Sequence, residues 1–167
     1  MKKYTLNFGK FKQYDKKFIT EIDGSSVTSV NFCGETLYIA TNENTFEYSE
    51  GNLKKLSFKA EKLFSENGKL YASQGKVLAE IKNGKSKKIA EFESSVVDIS
   101  IALDGSFWLI TEDALYLKED GEFKNIVGLP SEVVALAALD NKAKYAETVY
   151  VGSSVEGLLS MKGKRRH

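Results

Sequence analysis

The chain has 167 residues, is 42 % hydrophobic and 28 % charged, and carries a formal net charge of +1, which is the profile of a soluble globular protein with one cored domain. Ten Phe and eight Tyr exclude a disordered chain, and a single cysteine, Cys33, excludes an internal disulfide and a multi-cysteine zinc site. The one histidine is the last residue, His167, so neither a multi-histidine metal site nor a Ser-His-Asp triad has an imidazole held by the fold.

The N-terminus opens on basic residues, as a secretory leader does. Asn7, Gly9, Lys10 and Lys12 interrupt the apolar run that a leader needs, and no segment approaches the roughly 20 apolar residues of a membrane span. A cytoplasmic location, or a place inside a longer protein, is the expectation, with no membrane partner. Residues 1–20 hold six Lys and one Asp, and residues 162–167 hold two Lys and two Arg, so the segment between them carries a net −8. Arginine occurs only at Arg165 and Arg166, without an aromatic platform, so the basic ends read as solvated faces and nucleic acid is not the expected partner.

Phe11–Tyr14 and Phe18–Ile22 read as short strands within residues 4–22. A repeat follows. Leu37-Tyr38-Ile39-Ala40-Thr41, Leu70-Tyr71-Ala72-Ser73-Gln74, Phe107-Trp108-Leu109-Ile110-Thr111 and Val149-Tyr150-Val151-Gly152-Ser153 share an apolar-aromatic core, with starts 33, 37 and 42 residues apart. A second apolar segment follows each one, at Phe46–Tyr48, Leu78–Ile81, Leu115–Leu117 and Leu158–Met161, and then a glycine turn such as Asn83-Gly84 or Asp120-Gly121. Beyond three of those turns lies a further segment, at Leu53–Phe58, Ser86–Phe92 and Phe123–Val127. Ahead of each core lies one more, at Val27–Phe32, Lys62–Phe64, Val96–Leu103 and Val133–Leu139.

Each unit is thus four short antiparallel strands, a to d, in the roughly 40-residue period of propeller blades. The fold expected is all-β, a propeller or partial propeller of about four blades. It forms a single domain over 1–167, with repeats near 26–58, 59–93, 94–130 and 131–167 and with the strands in 4–22 belonging to a preceding or closing blade. Glu132–Lys144 competes as a helix, but Val133-Val134-Ala135-Leu136 takes the place that Val96-Val97-Asp98-Ile99 takes one repeat earlier, so strand then loop is preferred, with room for a helical turn near Lys142. Phe18–Ile22 could supply the d strand that the last repeat lacks. Otherwise a second copy or further sequence would cover the open blade.

Ile99 to Thr111, then Leu115-Tyr116, Asp120-Gly121-Glu122-Phe123 and the turn Gly128-Leu129-Pro130-Ser131, resemble the propeller repeats of two-component regulator sensors. The match covers residues 94–160 best and 26–93 less closely, and lectin-like tectonin repeats are also similar. The resemblance implies blades. It does not bring over the sensor's receptor role, because a seven-bladed ring needs more residues than the chain has.

Tyr38, Tyr71, Trp108 and Tyr150 recur at one place in the repeat, as packing between blades demands, so they are expected in the core rather than on a ligand platform. No catalytic constellation stands out. Glu112-Asp113 and Glu119-Asp120 lie in turns where acids are ordinarily solvated, and Cys33 has no internal histidine to activate it. No enzyme, cofactor or metal is therefore expected. The leading reading is a non-catalytic interaction module that binds a protein or peptide, with a homodimer or a longer chain as further possibilities. Its contacts would lie on the loop face shared by the b–c and d–a turns, at Thr41, Asn42, Asn44, Gln74, Glu112, Asp113, Ser153 and Ser154. The alternative is a glycan-binding propeller or an accessory domain of a carbohydrate-active enzyme, with Trp108 as its reporter.

Overall fold

The computed structural model describes residue 22 and residues 25–102, 105–130, 132–139 and 148–162. Among these it contains fifteen strands and no α-helix. The first sheet is β1 (Val27–Cys33), β2 (Thr36–Thr41), β3 (Thr45–Ser49) and β4 (Asn52–Lys55). The second is β5 (Lys62–Glu66), β6 (Lys69–Gln74), β7 (Val77–Lys82) and β8 (Lys85–Glu91). The third is β9 (Val96–Ile101), β10 (Phe107–Thr111), β11 (Ala114–Glu119) and β12 (Glu122–Gly128). The fourth is β13 (Val133–Leu139), β14 (Thr148–Ser153) and β15 (Gly157–Lys162). Each sheet is an antiparallel meander in chain order.

Turn chemistry sets the register. Asn83-Gly84 joins Lys82 to its partner Lys85 with φ of 52° and 69°, the two positive values that a two-residue hairpin loop of the primed type requires.

Stacking of the sheets explains why the second strand of each one is a continuous apolar run. All five residues of β10 are buried, because the strand has a neighbouring sheet on both sides. Phe107 and Leu109 join Tyr71, Leu78 and Phe92 in a cluster between the second and third sheets, whereas Trp108 and Ile110 join Leu136, Val149 and Val151 between the third and fourth. Ala40 packs with Leu63, Leu70, Ala72 and Ile81 between the first and second, with Tyr38 and Cys33 at the margin. The recurring aromatic thus points toward the following sheet at Tyr38, Tyr71 and Trp108, while Tyr150, on the fourth sheet, is half-buried.

The first strands of the sheets lie side by side and run the same way. Leu63 N–H donates to Ser29 Oγ at 3.1 Å, Leu136 N–H to Asp98 Oδ2 at 2.8 Å and Ala138 N–H to Ser100 Oγ at 3.1 Å, while Lys62 Nζ donates to Val97 O at 3.1 Å. Side chains of one sheet therefore satisfy backbone groups of the next, as inner strands around a common axis require. The architecture is that of propeller blades, with the innermost strand first. The shared direction puts every β2–β3-type turn on one face and every β1–β2-type and β3–β4-type turn on the other.

Two details differ from the sequence reading, and the competing helix resolves as strand. The first d strand stops at Lys55 instead of Phe58, because Leu56 turns inward to a buried position and Ala60 N–H donates to the buried Thr45 hydroxyl at 2.9 Å. The third a strand stops at Ile101, where Gly105 N–H closes a turn onto Ala102 O at 2.9 Å. Within Glu132–Lys144, residues Val133–Leu139 are strand, held by pairing with β14. The helical turn near Lys142, the basic ends in 1–20 and 163–167, and the expected strands in 4–22 apart from Ile22 lie outside the described residues.

Candidate functional site

Two places in this array could hold a ligand, one on each face. On the face of the β2–β3-type turns, three of the four turns are built alike. Thr41 is fully buried, and its hydroxyl accepts from the N–H of Asn44 at 2.9 Å and of Glu43 at 3.2 Å. Thr111 is also fully buried; its hydroxyl accepts from Ala114 N–H at 3.2 Å and donates to Asp113 Oδ1 at 2.9 Å. Ser153 Oγ accepts from Val155 and Glu156 N–H, both at 3.2 Å. A hydroxyl at the strand end thus replaces a backbone acceptor and fixes the loop.

Thr41 and Ser153, expected from the sequence as contact residues, are committed to the fold instead. The polar side chains beside them are the ones displayed. Asn42, Gln74, Glu112, Asp113 and Ser154 are exposed and Asn44 is half-buried.

The displayed residues are anchored as well. Ser26 N–H donates to Asn42 Oδ1 at 3.0 Å, Glu112 N–H to Ser95 O at 3.1 Å, and Ser154 Oγ to Glu132 Oε2 at 2.8 Å. Asp113 accepts from the Ser94 hydroxyl too, and these two hydroxyl bonds hold its carboxyl below the usual aspartate range. In the second sheet the turn is the tighter Gly75-Lys76, where Gly75 N–H donates to Glu61 Oε2 at 2.8 Å.

On the opposite face a cleft of about 550 Å³ opens between the second and third sheets. Its floor is aromatic: the Tyr71 and Phe107 rings meet edge to face at 5.2 Å, and Phe107 meets Phe123 at 5.1 Å. Its lining carries Lys69, Lys87, Lys88 and Lys118 against a single glutamate, Glu80. Lys88 is paired with Glu91, but Lys69, Lys87 and Lys118 have no carboxylate within 4 Å among the described residues. The Lys118 ammonium stands over two rings, 5.9 Å from Phe107 and 5.6 Å from Phe123. Burial, followed by the charges of Glu80 and Glu66, pushes the Tyr71 phenol upward, so it stays a neutral part of the floor.

The sequence reading did not find this cleft. Lysines scattered among strand residues look like solvation until a register places them. The hairpin pairing of Phe107 with Lys118, and of Tyr71 with Glu80 and then Lys87, was the signal available.

Other candidates resolve into structure. Asp113 serves its turn and Glu119 pairs with Lys124 at 3.1 Å, so neither acidic dipeptide presents two free carboxylates. Cys33 Sγ–H donates to Gly68 O at 3.5 Å beside the cluster between the first two sheets. Trp108 is only 6 % exposed, buried against the fourth sheet, and offers no stacking surface for sugars. No group of metal-ligating side chains exists among the described residues, and none of those residues forms a helix long and apolar enough to cross a membrane.

No protein-family model matches the sequence, and no curated protein does. Solved structures do match, and they are propeller-like. The computationally designed Ika4 protein aligns with a TM-score of 0.65 at 13 % identity, over 84 % of this chain and 93 % of that one. The extracellular domain assigned to a hybrid two-component system of B. thetaiotaomicron aligns with a TM-score of 0.60 at 16 % identity, over 93 % of this chain and 24 % of that one. Virginiamycin B lyase from Staphylococcus aureus aligns with a TM-score of 0.55 at 11 % identity, over 81 % of this chain and 55 % of that one. The chain therefore spans nearly all of the designed protein, about half of the lyase and a quarter of the extracellular domain. At these identities the likeness carries the fold, and a lyase among the neighbours shows that propeller-like frames of this kind also host catalysis.

Proposed function

We propose that this propeller-type domain is a non-catalytic interaction module that binds a protein or peptide through the face of its β2–β3-type turns. The observation that supports the reading is the repeated hydroxyl anchor. Thr41, Thr111 and Ser153 are spent on rigid turns, so that Asn42, Asn44, Glu112 and Ser154 stand at fixed positions on one side of the array. A pre-ordered polar surface binds with little loss of side-chain freedom, which is where an interaction module gains affinity over a flexible loop.

The non-catalytic part of the reading rests on the carboxylates. Asp113 and Glu119 are engaged within turns and ion pairs, which does not suit a pair that must face a substrate at roughly 5–9.5 Å.

Affinity capture from the source lysate tests the proposal. The wild-type protein is expected to retain a discrete partner that the triple variant Asn42→Arg, Gln74→Arg, Glu112→Arg loses, with both proteins unfolding at the same temperature. Equal recovery by the two, or none by either, would refute it.

A further inference from the structure

The cleft between the second and third sheets lies on the face opposite the proposed contact surface and is independent of it. Edge protection is the plainest account of lysines on a sheet, and it fits β8, an outer strand that carries Lys85, Lys87 and Lys88. It does not fit Lys69 and Lys118, which stand on β6 and β11, strands paired on both sides, and still line the same cleft. Lys118 is half-buried over the Phe107 and Phe123 rings, so its ammonium is positioned but not neutralised. With Lys88 paired to Glu91, three unpaired lysines, Lys69, Lys87 and Lys118, face Glu80 in the lining and Glu66 nearby, which leaves a local excess of positive charge.

We propose that this cleft binds an acidic peptide segment in extended form. The peptide's carboxylates meet the lysines of the two walls, Lys69 and Lys118, above the edges of the Tyr71 and Phe107 rings, which are buried and close the bottom of the cleft. In an extended chain residues two apart point to the same side, so the acidic residues two before and two after a cleft-directed side chain enter the cleft with it and reach Lys69 and Lys118 on the two walls. The donors are lysines on flexible stems rather than the planar forks that match phosphate in two-point fashion, which favours dispersed carboxylates over a single compact dianion.

Fluorescence anisotropy of a labelled Asp-Glu-Phe-Glu-Asp peptide on the full chain tests this. The peptide is expected to bind, to weaken as salt is raised, and to bind about tenfold more weakly to the double variant Lys69→Gln, Lys118→Gln, the loss of two exposed ion pairs. The control Lys55→Gln on the first sheet should bind as the wild type does, and the loop-face triple variant, which adds positive charge, should bind no more weakly, which separates failure here from failure of the loop-face reading. An Asn-Gln-Phe-Gln-Asn peptide should bind at least tenfold more weakly, and inorganic phosphate should not displace the acidic peptide at millimolar concentration. Absence of binding, equal binding of the neutral peptide, equal binding by the double variant, displacement by phosphate, or tighter binding of a sulfated oligosaccharide would each overturn the proposal.

Discussion

Asp98 ties the third blade to the fourth, and its removal should loosen that junction in a way that depends on what replaces it. Its carboxylate accepts the N–H of Ile99 at 2.9 Å and, across the blade boundary, the N–H of the buried Leu136 at 2.8 Å. Burial pushes the carboxyl above the usual aspartate range, while the two N–H groups and the charge of Lys62 pull it back. Asp98→Ala strands the Leu136 N–H, a loss of about 2 kcal/mol by the cost of an unsatisfied buried donor, or roughly 4–8 °C in Tm for a domain of this size. Asp98→Asn keeps an oxygen for Leu136 and removes the buried charge but turns its amide nitrogen toward Ile99 N–H, so at pH 7 it should be clearly more stable than the Ala variant.

The pH dependence has a definite sign. A carboxyl whose folded pKa is raised holds its proton longer in the folded state, so its favourable contribution is present below the unfolded value and disappears as pH rises through the folded one. The stability of Asp98→Asn relative to the wild type should therefore fall on acidification toward pH 3. Urea titrations of the three proteins, followed by Trp108 fluorescence, report the junction itself, because Trp108 packs against Leu136, Val149 and Val151. An Ala variant within about 0.3 kcal/mol of wild type, or an Asn variant as unstable as Ala at pH 7, would refute the role of the bond.

Three further outcomes are expected. Thr111→Val keeps the side-chain volume but deprives Ala114 N–H of its acceptor, and should lower stability by about 1–2 kcal/mol in the same titration. Leu109→Ala empties a fully buried position between the second and third blades and should cost about 2–5 kcal/mol. Trp108, the chain's one tryptophan, should emit as a buried indole, resist acrylamide, and stay unchanged by oligosaccharides. A solvent-exposed emission maximum would contradict its place between blades.

The strands were readable because of where they are buried. A strand such as Phe107–Thr111, covered on both faces, has to be apolar without alternation, and Asn67-Gly68 and Asp120-Gly121 mark the β5–β6 and β11–β12 hairpins by left-handed chemistry. The small polar residue at the end of that strand is equally visible at positions 41, 111 and 153, and from the sequence alone Thr41 and Ser153 look like displayed contacts. A residue repeated at one structural place more often serves the turn, and here the hydroxyls of Thr41, Thr111 and Ser153 do. The lysine cleft stayed hidden because Lys69, Lys87 and Lys118 come from different hairpins and meet only when two blades stack. The side-chain-to-backbone bonds between inner strands, from Ser29, Asp98 and Ser100, were hidden for the same reason.

The proposed binding face is tested most directly by hydrogen–deuterium exchange of the protein alone and with its captured partner. The account predicts that new protection falls on the turns at 42–44, 74–76, 112–113 and 154–156, leaving exchange in β4 and β12 unchanged. Protection centred on the outer strands or on the opposite face, or none at all, would contradict it.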